Sequence, residues 1–157
     1  MTAIFPGSFD PVTLGHLDMI RRAAAIFDRV VVAVMHNSHS QKSSLLTPDE
    51  RVELIREAAK DIDGVEAVLF EGFTRDLCEK YRPCVLVKGV RNVRDFDYEC
   101  EIAAANRFAG AADTLFLPAG EEYGNVSSTI VREFLKYGAD ISRLVPECVR
   151  VKLESKN

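Results

Sequence analysis

The stretch that decides the fold lies near the start of the chain and reads Ile4-Phe5-Pro6-Gly7-Ser8-Phe9-Asp10-Pro11-Val12-Thr13-Leu14-Gly15-His16. The apolar pair Ile4-Phe5 predicts a short buried strand, and the glycine and prolines that follow predict a turn. Thr13 is a favourable N-cap, because apolar residues continue at helical spacing from Leu17 to Phe27. A strand, a turn and a helix start in this order are typical of the first unit of an α/β fold.

The same stretch is suited to holding an anion. Gly15 and His16 fall in the first turn of the predicted helix, where backbone N–H groups lack partners inside the helix and the helix dipole is positive. Gly7 and Gly15 carry no Cβ atom, so a ligand could approach the backbone closely at both points. His16 adds a side-chain donor. The alternative is a structural corner with a capping threonine and a surface histidine.

The rest of the chain repeats the pattern of a strand followed by a helix. Residues 30–35 form a β-branched run typical of a parallel strand that is covered on both faces. Thr47 and Glu50 predict a capping box at a second helix. Further strands are predicted at residues 65–70, 84–87 and 114–117, and further helices at residues 74–81, 95–109, 127–137 and 146–153. The helix after Ser127 is expected to bury Ile130, Val131, Phe134 and Leu135.

Five strands alternating with helices predict an α/β fold: one domain over residues 1–157 with a doubly wound, five-stranded parallel sheet of the Rossmann-like dinucleotide-binding class. Right-handed crossovers bring the carboxyl ends of such strands to one edge. Four elements that follow strands would therefore converge in one crevice: Gly7–His16, Lys42, Lys88–Arg91 and Ser127–Thr129.

Composition narrows the classes of partner. The chain has 157 residues, 47% of them hydrophobic, and a net charge of −4, which gives no support to binding nucleic acid or an anionic membrane. No leader-like segment and no membrane-length apolar run is present, so we expect a cytoplasmic protein. The four cysteines form no C-x-x-C pair, so neither a structural disulfide nor a cysteine metal site is expected.

The residues expected in the crevice favour phosphate chemistry. His16, Lys42, Lys88 and Arg91 would join two helix N-termini, without a catalytic cysteine, a G-x-S-x-G elbow or a Walker-type G-K-S/T. A reaction that needs no protein nucleophile and no strong base fits this set best. We therefore predict nucleotidyl transfer to an acceptor that is already anionic, catalysed by positioning and charge stabilisation.

Four segments together resemble the phosphopantetheine adenylyltransferase family. They are Pro6–Pro11, Thr13–His16, Lys88–Arg91 with Asp95–Glu99, and Val126–Thr129, and they span most of the chain in order. The T/H-x-G-H element alone would indicate only the nucleotidyltransferase superfamily. The resemblance implies transfer of the adenylyl group of ATP to 4′-phosphopantetheine, which gives dephospho-coenzyme A and pyrophosphate. It also implies Mg²⁺ bound mainly through the ATP phosphates, a homohexamer, and dephospho-coenzyme A or coenzyme A as product or inhibitor.

The resemblance also implies roles for individual residues. The catalytic residues would be His16, Lys42 and Arg91, with His16 stabilising the pentavalent α-phosphate. The ATP site would comprise Ser8, Phe9, His16, Gly89, Val90, Arg91, Glu99, Tyr123, Gly124, Asn125, Val126, Ser127, Ser128 and Thr129. The acceptor site would comprise Ser8, Lys42, Thr74 and Lys88. No protein ligand to a metal is implied.

This sequence departs from the usual family pattern at three places. Lys88 stands where the family usually has arginine, and Thr74 stands where an aliphatic residue is usual. The residues 124–126 lack an aromatic side chain that is often found near Gly124. Lysine offers a point charge in place of the bidentate fork of arginine, so the departure at position 88 concerns how the acceptor phosphate is held.

Other interpretations of the same residues stay open at this point. The protein could be a nucleotidyltransferase that uses a cytidyl group or another phosphorylated acceptor, or a catalytically silent sensor of nucleotide or coenzyme A. Lys42 could be a solvated loop lysine, and Tyr98 with Glu99 an ordinary helix face near a helix N-terminus. His36 and His39 lie three residues apart without a cysteine or carboxylate nearby and predict no metal site.

Overall fold

A computed structural model describes residues 1–36 and 44–156. Its five strands form one parallel sheet in the order β3-β2-β1-β4-β5. The strands are β1 Thr2–Gly7, β2 Arg29–His36, β3 Val65–Glu71, β4 Cys84–Val90 and β5 Thr114–Pro118. The helices are α1 Leu14–Ala24, α2 Pro48–Ala58, α3 Thr74–Lys80, α4 Val93–Phe108, α5 Ser128–Lys136 and α6 Glu147–Glu154, and a short 3₁₀ helix covers Glu121–Tyr123. The predicted doubly wound α/β fold is confirmed.

Side chains alternate between two apolar cores because successive residues of a strand point to opposite faces. On one face, Phe5 and Val32 pack with residues of α1, α2, α5 and α6. On the other face, Ile4 and Val31 pack with Leu77 of α3. The continuous apolar character of β2 is thereby explained, since both of its faces are covered.

The strand order places the site. The chain runs outward from β1 through β2 to β3, then returns to the other side of β1 with β4. The connections that follow β1 and β4 therefore leave the sheet in opposite directions, which opens a crevice at their carboxyl ends. The predicted elements Gly7–His16 and Lys88–Arg91 come from these two strands.

Both predicted helix caps are present. Thr13 Oγ1 accepts the N–H of His16 at 3.3 Å, and Thr47 Oγ1 accepts the N–H of Glu50 at 3.2 Å. The Glu50 carboxylate in return accepts the N–H of Thr47 at 2.9 Å, which completes the predicted capping box. Ser127 caps α5 in the same way, with its Oγ accepting the N–H of Ile130 at 3.2 Å.

Several predicted boundaries are wrong in informative ways. Strand β4 continues to Val90, because Lys88, Gly89 and Val90 keep their pairing with β5. Helix α1 ends at Ala24, where the last turn tightens, and α4 begins at Val93, where Asn92 caps it. Phe134, predicted to be buried, is 39% exposed, because α5 presents only a narrow stripe to the core.

Candidate active site

A cavity of about 400 Å³ opens at the carboxyl ends of β1 and β4. It brings together most of the residues that the sequence marks for ATP or acceptor binding. Those that line it are Ser8, Phe9, His16, Lys88, Gly89, Arg91, Glu99, Tyr123, Val126, Ser127, Ser128 and Thr129. Val90, Gly124, Asn125 and Thr74 are not among the lining residues. Lys42 and His39 lie outside the described residues.

His16 is held in an unusual cap. Its backbone N–H donates to Thr13 Oγ1, while its Nδ1 accepts the backbone N–H of Thr13 at 3.0 Å. A histidine thus occupies the position that glutamate or glutamine fills in a standard capping box. Because a backbone N–H can only donate, Nδ1 must be unprotonated, and neutral His16 carries its proton on Nε2.

The surroundings of His16 keep it neutral. Burial, followed by the positive charges of Arg91 and Lys88, lowers its pKa from 6.5 to about 4. The Phe9 ring packs edge-on against the imidazole, with ring centroids 5.0 Å apart. The imidazole is therefore a fixed and uncharged donor beside two cationic side chains.

Gly7, at the end of β1, packs closely against the Phe9 ring. A Cβ atom at Gly7 would lie 3.0 Å from the Phe9 ring, so the ring leaves no room for a larger residue there. Gly7 also lines the cavity. Phe9 itself has a φ of 47°, in the left-handed region that non-glycine residues rarely adopt. At Gly15 a Cβ atom would meet its neighbours at ordinary distances of 3.5 Å or more.

The two helix N-termini at the cavity differ in what they offer. In α1 the N–H of Leu14 donates to the Leu144 carbonyl at 2.9 Å and that of His16 to Thr13, which leaves the N–H of Gly15 without a partner among residues 1–36 and 44–156. In α5 the N–H groups of Ser128 and Thr129 likewise have no acceptor in the described chain. The cap thus removes most of the donors that the sequence suggested for α1.

The two basic side chains of the cavity, Lys88 and Arg91, are each paired with a carboxylate. Lys88 Nζ lies 3.3 Å from Glu99 Oε2, and both side chains are mostly buried. Arg91 Nε donates to Asp95 at 2.6 Å and Nη2 donates to it at 3.2 Å. The Arg91 guanidinium holds the pKa of Asp95 below its usual value. Within residues 1–36 and 44–156, Glu99 Oε2 is buried and accepts no hydrogen bond beyond its ion-pair contact with Lys88.

Helix α4 contributes more residues to the cavity than the sequence pattern predicts. The helix begins at Val93, so Glu99 is its seventh residue and lies beyond the first turn. The helix dipole favours acidic side chains only within that first turn, so it does not account for Glu99. Asp95 and Tyr98 also line the cavity, although only their place in a family-like segment marked them. Met19 was missed as well; it packs over Gly89, where a Cβ atom would meet it at 3.2 Å.

Comparisons with known proteins identify the family of this chain. The sequence profile of the cytidylyltransferase-like family matches residues 4–134. A phosphopantetheine adenylyltransferase of Thermobifida fusca is 45% identical over 153 residues, which cover 98% of this chain and 92% of the relative. One from Lachnoclostridium phytofermentans is 46% identical over 147 residues, 93% of this chain and 89% of the relative. The chain belongs to the phosphopantetheine adenylyltransferase family.

A solved structure shares this fold. A structure assigned as a nicotinate-nucleotide adenylyltransferase from Vibrio parahaemolyticus superposes with a TM-score of 0.71 at 23% identity, covering 97% of this chain and 90% of that one. At this identity the likeness concerns the fold. Among the described residues of this family member, no helix is both long and apolar enough to span a membrane. All four cysteines, at positions 78, 84, 100 and 148, are free thiols.

Proposed function

We propose that this family member transfers the adenylyl group of ATP to 4′-phosphopantetheine at the cavity between β1 and β4. The observation that carries the placement is His16, a neutral and fixed donor that lies beside Arg91 and Lys88 in that cavity. The relatives that share 45% and 46% of their aligned residues with this chain bear the name of this activity. The products are dephospho-coenzyme A and pyrophosphate.

The reaction needs little from the protein beyond placement and charge. An oxygen of the acceptor phosphate attacks the α-phosphorus of ATP, the bond from that phosphorus to the bridging oxygen breaks, and pyrophosphate leaves. The acceptor phosphate is already ionised, so no general base is required. Negative charge grows on the α-phosphate oxygens in the transition state, and a hydrogen bond from the Nε2–H of His16 would stabilise it there.

The ATP site is proposed along β4, α4 and the start of α5. The N–H groups of Ser128 and Thr129, which have no acceptor in the part of the chain that the structure describes, are suited to phosphate oxygens, and Arg91 supplies positive charge. Glu99 Oε2 is a buried acceptor whose only polar partner within the described chain is the ion-paired Lys88 ammonium, and a ribose hydroxyl would supply it with a hydrogen bond. The other proposed contacts follow the resemblance, at Ser8, Phe9, Gly89, Val90 and residues 123–127.

The acceptor site is proposed around Lys88, with Ser8 between the two substrates. The Lys88 side chain is mostly buried and its ammonium is paired with Glu99 at 3.3 Å, so an acceptor phosphate that enters the same cavity would share this cation with the carboxylate. Thr74 begins α3 and Lys42 belongs to residues 37–43; both are proposed acceptor contacts on the resemblance alone.

Magnesium is proposed to enter with the nucleotide. The two carboxylates at the cavity, Asp95 and Glu99, are paired with the basic side chains of Arg91 and Lys88. No group of three possible metal ligands occurs in the described parts of the chain. This donor set fits Mg²⁺ held by triphosphate oxygens and water molecules, as is usual for this ion. When bound, Mg²⁺ would neutralise charge on the phosphates.

A homohexamer in the cytoplasm is the proposed state of the protein. Helix α4 has 16 residues and none of them is buried in the single chain. Val93 is 81% exposed and Phe108 is 96% exposed, which is costly for a helix with this many apolar residues unless another copy covers it. Free thiols fit a reducing compartment. Coenzyme A or dephospho-coenzyme A would inhibit by occupying the acceptor part of the cavity.

A substrate panel scored by pyrophosphate release tests the activity. We expect turnover with ATP and 4′-phosphopantetheine, and little with CTP and glycerol phosphate. Strong turnover of the second pair would replace the proposal with a cytidylyltransferase, and nucleotide binding without turnover of any pair would favour a sensor. Light scattering on the wild type and on Phe108→Glu tests the assembly; a monomeric wild type would contradict it.

A further inference from the structure

Side chains from two helices hold the turn between β1 and α1 by its carbonyl groups. Arg51 of α2 donates from Nη1 to the Ser8 carbonyl at 3.2 Å. Arg132 of α5 donates from Nη1 to the Asp10 carbonyl at 2.7 Å, and the Ser128 hydroxyl donates to the Pro11 carbonyl at 2.7 Å. The path of this turn is therefore set from outside, by elements far away in sequence.

Arg51 is the buried centre of this network. It is only 7% exposed, and its Nε and Nη2 donate to the Leu46 carbonyl at 3.0 and 2.8 Å. Its Nε also lies 3.4 Å from Asp10 Oδ1. The Asp10 carboxylate, in a residue that is 6% exposed, accepts the N–H groups of Leu45 and Leu46 at 3.0 and 2.9 Å.

A buried ion pair is weak evidence for a contribution to stability, because desolvation offsets most of the attraction. What this pair does fix is the position of two chain segments. Each nitrogen of Arg51 contacts a backbone carbonyl, and the Ser8 carbonyl belongs to the peptide that leads into Phe9. Phe9 needs such support, since its φ of 47° is strained and persists only where the surroundings dictate it.

The Ser8–Phe9 turn also supports His16. The Phe9 ring lies 5.0 Å from the imidazole and 5.5 Å from the Phe5 ring, both centroid to centroid. Neither Arg51 nor Asp10 lines the cavity, so neither would touch a substrate there. We propose that Arg51, paired with Asp10, is a positioning residue for adenylyl transfer: it fixes the Ser8–Phe9 turn and, through the Phe9 ring, the imidazole of His16. This inference rests on the placement of the reaction proposed above.

Arg51→Lys is the variant that tests it. Lysine keeps the charge but supplies a single ammonium group, which cannot reach Ser8, Asp10 and Leu46 in the geometry of the guanidinium fork. We expect kcat to fall about 10- to 100-fold, while the KM for each substrate and the Kd for ATP, which the Ser8–Phe9 turn would also contact, change by a smaller factor. A residue with only a structural role would lower the melting temperature without separating kcat from KM.

Arg56→Lys is the matched control. Arg56 lies on the same helix and donates from Nη2 to the Ala67 carbonyl at 3.1 Å, away from the cavity. It should keep the kcat of the wild type. If Arg51→Lys does not fold, Asp10→Asn is measured instead, because the amide keeps the size of the side chain but removes the charge opposite Arg51. The same split between kcat and KM is expected.

Three results would overturn the inference: an unchanged kcat in Arg51→Lys, a loss confined to KM, or an equal loss of kcat in Arg56→Lys. His16→Ala is assayed beside these variants to separate this inference from the proposed site. If His16→Ala is impaired and Arg51→Lys is not, the positioning role is wrong and the site stands. If His16→Ala turns over normally, the placement of the reaction itself is wrong.

Discussion

The backbone N–H of Thr13 donates to Nδ1 of His16 at 3.0 Å, so one contact both caps helix α1 and selects the tautomer of the imidazole. A general acid would have to give up a proton and regain it in each cycle. A neutral imidazole held in this way can only lend its Nε2–H as a hydrogen bond. The cap therefore suits a reaction in which charge develops on phosphate oxygens and no proton needs to move.

Replacing His16 should separate catalysis from binding. In His16→Ala we expect turnover to fall by about 10²–10³ or more, the scale of losing one transition-state donor, while the Kd for ATP stays within a few-fold. The same variant loses the reciprocal cap, which costs about 1 kcal/mol of stability. Steady-state assays, ATP titrations and thermal unfolding measure the three effects.

His16→Gln serves as the control for the cap. Glutamine at this position can accept the Thr13 N–H as in a standard capping box, so its stability should return toward that of the wild type. Its turnover should stay low, because the amide does not reproduce the imidazole donor. Normal turnover in His16→Ala would show that this donor is not part of the mechanism.

The lowered pKa of His16 predicts a pH-dependent stability. The unfolded chain binds the proton near pH 6.5 and the folded chain only near pH 4, so between these values the unfolded state holds more protons. Stability should therefore fall as the pH drops from about 6.5 to about 4 and level off below, with a contribution of up to roughly 3 kcal/mol. Urea unfolding across this range measures the slope.

His16→Gln removes the group that titrates and is again the control. As the pH is lowered through the same window, the unfolding free energy of the wild type should fall relative to that of this variant, by up to roughly 3 kcal/mol. An NMR titration of the wild type should place the His16 pKa well below 6.5. A His16 resonance that titrates at an ordinary value would contradict the burial and charge effects described here.

Much of this arrangement could be predicted from local sequence, and the remainder depends on contacts between distant elements. Thr13 and Thr47 are recognisable as caps because a cap is a local motif of four residues. The pairing of Lys88 with Glu99 joins β4 to the side of α4, and no spacing rule relates them. The same holds for Arg51, which a helical pattern marks only as one charged residue among several.

Two further predictions, the end of β4 and the burial of Phe134, are wrong because each depends on packing between elements. The prediction ended β4 at Val87, since a lysine and a glycine rarely continue a buried strand, yet pairing with β5 carries the strand to Val90. The exposed position of Phe134 has a similar origin, because helical spacing shows which residues share a stripe but not how wide a stripe the core will cover.

Lys88→Arg should preserve activity. Arginine is the usual family residue here, and its fork can hold an acceptor phosphate through two hydrogen bonds where the lysine ammonium acts as a point charge. We expect kcat near that of the wild type, with the KM for the phosphopantetheine acceptor unchanged or lower. Initial rates at varied acceptor concentration measure both. Complete inactivity would mean that the cavity is built around the Lys88–Glu99 pair and cannot hold the larger side chain.

Gly7→Ala should reduce both stability and turnover by displacing the Phe9 ring. The added Cβ would lie 3.0 and 3.1 Å from two atoms of the Phe9 ring, and this ring is almost fully buried, so it can shift only against Phe5 and His16. Overpacking of this kind costs about 1–3 kcal/mol of stability, and a shift of the ring would also move the imidazole.

The measurements for this variant are thermal unfolding and kcat, with Gly120→Ala as the control. The Cβ of an alanine at position 120 would have its nearest neighbour at 3.4 Å, an ordinary contact, so both quantities should stay near those of the wild type. Gly7 has no positive φ, so alanine introduces no backbone strain there, and a loss of stability in the ligand-free protein comes from the ring. If Gly7→Ala loses stability but keeps its full kcat, then the Phe9 ring does not set the position of His16.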